Sequence, residues 1–431
     1  MWWGKLQGNL VLIFQEDEVN LLFGQEGIVL AEEKCPRALP PENIQSFFCH
    51  HGITPTEVQR VLVAADLTTL LWNAESALGY LRLTSAPLEL TPVSELLKKK
   101  SFQLYTFELP LPGQPGYRSK LEKALAHLVE LPVKNLAINS ASSPLDPAPE
   151  QEVMETIEKL FPRRFTFYSS YRYHLLNFLL RENALLIDAF LSDQTKSFCS
   201  WLENLLASSG ISAPIYFLKG DGTLTGHRMA LAYPLLTWQA ILASYLLASS
   251  WWVRQGETFV VPPGREGLAL GLTERYLPKL STGLTGFHGV ELAGSYPHVI
   301  RFPERPHPHS WEKTLEALNP LPGPIPVVCW AEPQEIPRTF RYPVLSPPAD
   351  PALQGAGVLA APYGMEIEKV CFFSDHRQIQ LEKQGLWDMA LYQLRQDSVE
   401  LKEMVHQFEE IPLRYLPQNA CRLKLKVWGR F

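Results

Sequence analysis

Three residues in the middle of the chain have the types and setting for acid–base work: Asp221, held between Gly220 and Gly222, and the neighbours Arg181 and Glu182, which open a helical stretch. A carboxylate takes or gives a proton, and a guanidinium holds an anion. Each also has a plainer role. Glutamate in a first helical turn suits the positive end of the helix dipole, arginine pairs with it or with a neighbouring strand, and aspartate between glycines is a good turn former. A second set consists of glycines. Gly264 and Gly267 flank Arg265-Glu266 just after the apolar run Phe259-Val260-Val261, where backbone N–H groups would approach an anion, although Pro262 and Pro263 supply none. Gly357, within Gln354-Gly355-Ala356-Gly357, permits close helix approach.

Other clusters point to simpler roles. Cys49-His50-His51 ends a helix before Gly52, where imidazoles suit the negative end of the dipole. His307 and His309 flank Pro308 with no cysteine or carboxylate at a familiar ligand spacing, so no metal is expected. Gly355-x-Gly357-x-x-Ala360 imitates a dinucleotide fingerprint, but Pro347, Pro348 and Pro351 precede it where a strand would be needed. There is no Gly-x-Ser-x-Gly elbow for a serine nucleophile.

With 431 residues, 46% hydrophobic and 19% charged, the chain can bury a sizeable core and is long enough for two or more domains. The net charge is -6 with Lys and Arg dispersed, so nucleic acid is not an expected partner. Six cysteines, at 35, 49, 199, 329, 371 and 421, never form a Cys-x-x-Cys pair and read as reduced thiols of a cytoplasmic protein. Gln7, Gly8 and Asn9 interrupt the first apolar stretch and Glu16-Asp17-Glu18 follows, unlike a secretory signal. The uncharged run 229–253 is long enough to cross a bilayer, yet Pro234, Thr237, Gln239 and several serines break it up. A buried core helix over 230–252 is expected instead, and membrane association is not.

These residues need a scaffold. Strand-like runs at 10–14, 19–23, 60–63, 104–109, 136–139 and 165–168 alternate with helical stretches around 42–50, 119–129 and 150–160, which predicts α/β layers. The second half continues with a helix over 182–208, strands near Ile215 and Thr258, the 230–252 helix and a strand at 326–330. A long helix from about 378 to 409 closes the pattern, with Leu386, Met389, Leu394, Val405 and Phe408 expected to face the core. Proline clusters at 303–308, 320–326 and 343–351 mark surface crossings.

The landmarks combine into a resemblance. Arg181-Glu182-Asn183-Ala184, continuing through Asp188-Ala189 to Gly210, then strand 215–218 and the turn Lys219-Gly220-Asp221-Gly222-Thr223-Leu224, is similar to the A subunit of the hydantoinase/oxoprolinase family. The similarity extends over about residues 10–431. It includes Gly27 with its Lys34-Cys35-Pro36 exit, the unit that ends in Leu81-Arg82-Leu83, and Tyr415-Leu416-Pro417 near the close. The resemblance implies an α/β, actin-like ATPase fold with two ribonuclease-H-like halves around a nucleotide cleft. It divides the chain into a hydantoinase/oxoprolinase N-terminal-like domain over 1–175 and a hydantoinase A/oxoprolinase-like domain over 176–431. It further implies ATP and magnesium, ATP-dependent opening of cyclic amides such as 5-oxoproline and hydantoins, and a hydantoinase B-like partner subunit.

The sequence departs from that family where phosphates are held. The family writes Asp-Val-Gly-Gly-Thr-x-Thr-Asp twice. The first copy aligns with Ile13-Phe14-Gln15-Glu16-Asp17-Glu18-Val19-Asn20, which has no glycine and sets three acids where a polyanion would approach. The second aligns with 262–269, whose two aspartate positions are Pro262 and Ala269. Trp238 stands where the family's Ser-Gly-Pro has glycine, and only Thr69 remains of the polar positions in its Thr-Thr-x-x-Thr-Asn-Ala. The expectation is a hydantoinase A-like chain without ATP, magnesium or ordinary cyclic-amide hydrolysis, a pseudoenzyme acting as a binding or scaffolding subunit. The alternative is a hydrolase that opens a cyclic amide with a rebuilt site of Asp221, Glu182 and Arg181, beside a remnant nucleotide cleft marked by Gly264, Gly267 and Gly357.

Overall fold

The computed structural model describes residues 7–73, 77–84, 102–173, 176–264, 268–281, 285–292, 294–331, 341–348, 350–373, 375–414 and 419–431. Its largest element is a nine-stranded mixed sheet. Gly8–Phe14 pairs antiparallel with Glu18–Gln25 and parallel with Val58–Ala64, which in turn pairs parallel with Ile215–Leu218. These inner strands are almost continuously apolar because both faces are covered: Val11, Ile13 and Leu62 enter one core, Leu10, Leu12, Val61 and Val63 the other. Ile28–Pro36 closes one end of the sheet, and Tyr363–Phe372, Ala420–Arg430 and Lys402–Pro412 extend the other. Four of the nine strands precede residue 175 and five follow it, so that position divides the sequence and not the sheet.

Two smaller sheets complete the frame. Gln103–Leu109, Ala77–Leu83, Asn135–Ser140 and Thr166–Ser169 form a four-stranded parallel sheet in that order. Thr258–Val261, Leu268–Glu274 and Val327–Cys329 are the heart of a six-stranded one. The helix Phe178–Ser208 starts at Asn177, whose side-chain oxygen accepts from the N–H groups of Leu179 and Leu180. Residues 180–192 are buried on every face, because this half of the helix is enclosed by the four-stranded sheet and by the turns at Leu67–Asn73 and Pro234–Thr237.

The charge-free run resolves differently from a single helix over 230–252. It forms a short helix His227–Ala232, a turn of 3-10 helix at Pro234–Thr237, and the helix Ala240–Val253. Pro234 brings no N–H to a ladder, and Gln239 takes the left-handed conformation with φ 64°, so the helical path restarts at Ala240. Ala240–Val253 touches strands of both large sheets and the helix Pro351–Leu359, which explains its apolar surface; only Trp251, in the last turn, is exposed. Among the described residues, no helix is long and apolar enough to cross a membrane.

The closing element also differs from the expected 378–409 helix. The helix His376–Gln396 ends where Ser398 takes φ 55° and the Val399 N–H returns to the Leu394 carbonyl; the chain then becomes the strand Lys402–Pro412. Leu386 and Leu394 do face the core, but Met389 and Val405 are exposed. Three- and four-residue spacing persisted by coincidence across a helix end and into a strand, where the pairing with Ala420–Arg430 decides the conformation.

Candidate functional site

The first hairpin turn is closed on itself. The Gln15 N–H donates to the Glu18 carbonyl at 2.9 Å, and Arg37 donates to the carbonyls of Gln15 (3.2 Å) and Glu16 (2.6 Å). Lys34 pairs with Glu18 at 3.0 Å. The Gln15 amide donates to Gln354 Oε1 (3.1 Å), and the Gln354 amide donates to Ser244 Oγ (2.7 Å), making a neutral chain from the turn to two helices. Asn20, in register with Ile13, is buried, and its side-chain oxygen has no partner. A phosphate cradle needs backbone N–H groups turned toward the ligand, and magnesium needs carboxylates beside it. This turn offers carbonyls to Arg37, acids at its tip, and an amide at position 20. It does not fit a magnesium-bound triphosphate.

The second hairpin begins with Val261, whose carbonyl accepts the Trp330 N–H at 2.9 Å; Pro262 is buried, while Pro263 and Gly264 are exposed. Gly267, with Arg265 and Glu266, lies outside the described residues. The Trp330 indole donates to Ser249 Oγ at 2.8 Å and meets the Tyr245 ring edge-on with 5.0 Å between centroids. Burial pushes the Tyr245 hydroxyl up to about 12, and the Glu18 carboxylate adds to that. Gly357 serves packing. A Cβ there would collide with the backbone nitrogen of Ala248, so the helices Pro351–Leu359 and Ala240–Val253 meet backbone to backbone.

Arg181 and Glu182 are brought together at the carboxyl ends of the four-stranded sheet, inside a fully buried network. Glu182 receives both Nη2 (2.7 Å) and Nε (2.9 Å) of Arg82 together with the Tyr80 hydroxyl. Arg181 donates to the Ser140 carbonyl (2.6 Å), Ser170 Oγ (3.1 Å) and Asn139 Oδ1 (3.3 Å). A second carboxylate, Glu150, collects the N–H groups of Ser140 (2.7 Å) and Ser170 (2.8 Å) and the hydroxyls of Ser143 and Ser170. Burial raises the Glu150 carboxyl above its ordinary range despite these donors, and lowers the Arg181 guanidinium to about 10 with Glu150 opposing the drop. Every strong donor here already has an acceptor of the chain's own, so the geometry ties the helix start to three strand ends. Tyr80, Arg82 and Glu150 were not foreseen as its members. The available signal was an arginine between two leucines at a strand end, which is costly to bury unless paired.

Asp221 belongs to a different place and makes no hydrogen bond with Arg181 or Glu182. Its carboxylate accepts the Thr223 N–H (2.9 Å) and hydroxyl (2.7 Å) and pairs with Lys219 at 2.9 Å, which fixes a tight turn with Gly222 at φ 81°. Gly220 is needed because a Cβ would run into the Trp238 carbonyl oxygen. Trp238, buried against Phe287 and Tyr296, fills the space beside this turn. Two carboxylates, buried Asp188 and half-buried Asp66, hold the 234–239 segment that Trp238 belongs to. Asp188 accepts the Leu235 N–H and the Tyr173 hydroxyl, each at 2.8 Å, and Asp66 accepts the Gln239 N–H at 3.0 Å. With only neutral donors on it, burial raises the Asp188 carboxyl to about 7, and burial likewise raises Asp66.

Two open depressions, of about 520 and 420 Å³, lie elsewhere, one along Ile300, His307, His309 and Lys313, the other between Trp252, Gln255 and Pro326. Neither is lined by a candidate catalytic residue. Among the described residues no group of three or more His, Cys, Asp or Glu is placed to hold a metal, His307 and His309 included.

The architecture defined by these sheets and the helices between them is the mixed α/β, actin-like ATPase fold. It is similar to that of the ATP-dependent caprolactamase from Pseudomonas jessenii (TM-score 0.69, 12% identity, 98% of this chain and 88% of that one). It is equally similar to acetone carboxylase in its nucleotide-free structure (TM-score 0.69, 9% identity, with the same coverage of 98% and 88%). The sequence matches no family model and no curated protein.

Proposed function

We propose that this chain is a hydantoinase A-like subunit that has given up ATP-dependent cyclic-amide chemistry and serves as a binding or scaffolding component for a hydantoinase B-like partner. The observation that carries this reading is the first hairpin turn: the Gln15 N–H is spent on the Glu18 carbonyl, the Gln15 and Glu16 carbonyls on Arg37, and the Gln15 side chain on Gln354, in the place where the resemblance expects a glycine cradle. The fold of two ATP-dependent enzymes over 98% of the chain supports the ancestry. The locked partners of Arg181 and Glu182 weigh against their acting on a substrate, since a group with every bond already made must break one to bind. The expected compartment is the cytoplasm.

The test is co-expression with a hydantoinase B-type subunit, followed by assay of the purified material on hydantoin, 5-oxoproline and caprolactam with and without Mg-ATP. A stable stoichiometric complex with no ATP-dependent ring opening is the expected result. Ring opening, with or without ATP, that disappears in Asp221→Ala would replace this reading with the hydrolase one.

A further inference from the structure

Cys371 and Cys421 lie fifty positions apart in sequence, yet the antiparallel pairing of Tyr363–Phe372 with Ala420–Arg430 sets them directly opposite each other. Residues opposed in such a ladder have Cα atoms about 4.5–5.5 Å apart, within the roughly 4.4–6.8 Å that a disulfide spans. Opposed side chains leave the sheet on the same face. Both cysteines enter the same core cluster, and Cys371 Sγ lies 3.6 Å from the Cys421 carbonyl oxygen. The pair sits one step from the end of the ladder, where Phe372 faces Ala420, so fraying of two steps gives a small reagent access. No other two cysteines are register partners among the described residues.

We propose that Cys371 and Cys421 form a reversible redox site, oxidised by a low-molecular-weight disulfide to a cross-strand bond that staples the sheet beside the helix His376–Gln396. One cysteine, as thiolate, attacks a sulfur of the small disulfide and expels one small thiolate, leaving a mixed disulfide. The second cysteine, as thiolate, attacks the protein sulfur of that mixed disulfide and expels the other small thiolate. In balance, two protein thiols lose two protons and two electrons, and the small disulfide is reduced to two thiols. The covalent loop then encloses the helix His376–Gln396 and the strand Lys402–Pro412. Burial, with the neighbouring Cys421, pushes the Cys371 thiol up to about 11, and burial also raises Cys421. Thiolate is therefore scarce at neutral pH, and exchange speeds up about tenfold per pH unit below that value.

The full-length protein is equilibrated with graded mixtures of oxidised and reduced glutathione, denatured, alkylated and mapped by mass spectrometry. The six free thiols fall to four, and the lost two are found in one linked peptide pair containing Cys371 and Cys421. The linkage forms faster at pH 9 than at pH 7, and the oxidised protein melts at a higher temperature than the reduced one. Cys49→Ala, which removes the exposed cysteine, leaves the linkage intact, whereas Cys371→Ala abolishes it. Should that variant fail to fold, the peptide map of the unmutated chain decides alone. Complete alkylation of both cysteines under fully oxidising glutathione, or linkage of either to a different cysteine, overturns the proposal.

Discussion

The helix Phe178–Ser208 carries two buried acids that meet their surroundings in opposite ways. Glu182 faces the four-stranded sheet and is matched by a guanidinium and a phenol; Asp188, further along, faces the 234–239 segment and is matched by one amide N–H and one phenol. The same contrast runs through the molecule. On the side of the small sheet, charge meets charge in a closed network of Arg82, Glu182, Arg181 and Glu150. Behind the first hairpin turn a neutral chain runs from Gln15 to Gln354 to Ser244, with Tyr245 and Trp330 packed beside it. Residues 181–184 therefore tie helix to sheet, while the turn at 15–18 spends the Gln15 N–H, the Gln15 and Glu16 carbonyls and the Gln15 side chain on partners within the chain.

Breaking the charged side should cost most. Arg82→Met leaves Glu182 buried without its guanidinium and is expected to lower stability by about 3–5 kcal/mol, read by urea unfolding. The double variant Arg82→Met with Glu182→Leu should recover much of that loss, and a double variant as weak as the single would show that the pair was not the cause. Asp188→Asn should act in the opposite direction. Its carboxyl rises from an ordinary 3.8 to about 7 in the folded protein, so the folded state favours the protonated form. That preference stabilises the fold fully below about pH 4 and is lost as pH climbs through 7, at most roughly 4 kcal/mol. The asparagine variant should thus lose this pH dependence and be the more stable protein at pH 8. Equal slopes for the two proteins between pH 4 and 8 would show that Asp188 is not the titrating group.

Changes on the neutral side should be smaller. Gln354→Leu removes the link between Gln15 and Ser244 and is expected to cost about 1–2 kcal/mol in the same unfolding experiment. Smallest of all is Glu108→Gln. This partner of Arg82 is about one-third exposed, at 3.3 Å, and its loss should cost less than about 1 kcal/mol. A Glu108 effect as large as that of Arg82 would erase the distinction between the buried pair and its rim.

Much of this frame was legible in the residues. Apolar runs at 10–14 and 19–23 around an acidic turn read as a hairpin, and the hairpin is there because strands covered on both faces leave no other assignment. Asn177 and the first turn of Phe178–Ser208 were harder to place, since the helix begins before Arg181 with residues of mixed character. Arg82 between two leucines was a signal of a buried pair, but which residues meet Arg181 and Glu182 lay beyond reading, because Arg82, Asn139, Ser140 and Glu150 come from three separate stretches that the parallel sheet and the helix Ala148–Leu160 bring together. The strand Lys402–Pro412 was hidden for a similar reason: its local spacing continues a helix, and only the ladder to Ala420–Arg430 overrules it. Tyr363–Phe372 alternates Met365, Ile367 and Cys371 inward with Glu366 and Glu368 outward, a signal obscured by the prolines before it.

Whether the turn between Gly8–Phe14 and Glu18–Gln25 is unable to cradle a nucleotide's phosphates is decided by isothermal titration of the purified full-length chain with Mg-ATP. No saturable heat up to millimolar nucleotide is expected. A one-to-one isotherm with micromolar affinity that depends on magnesium would show that the turn still holds phosphate.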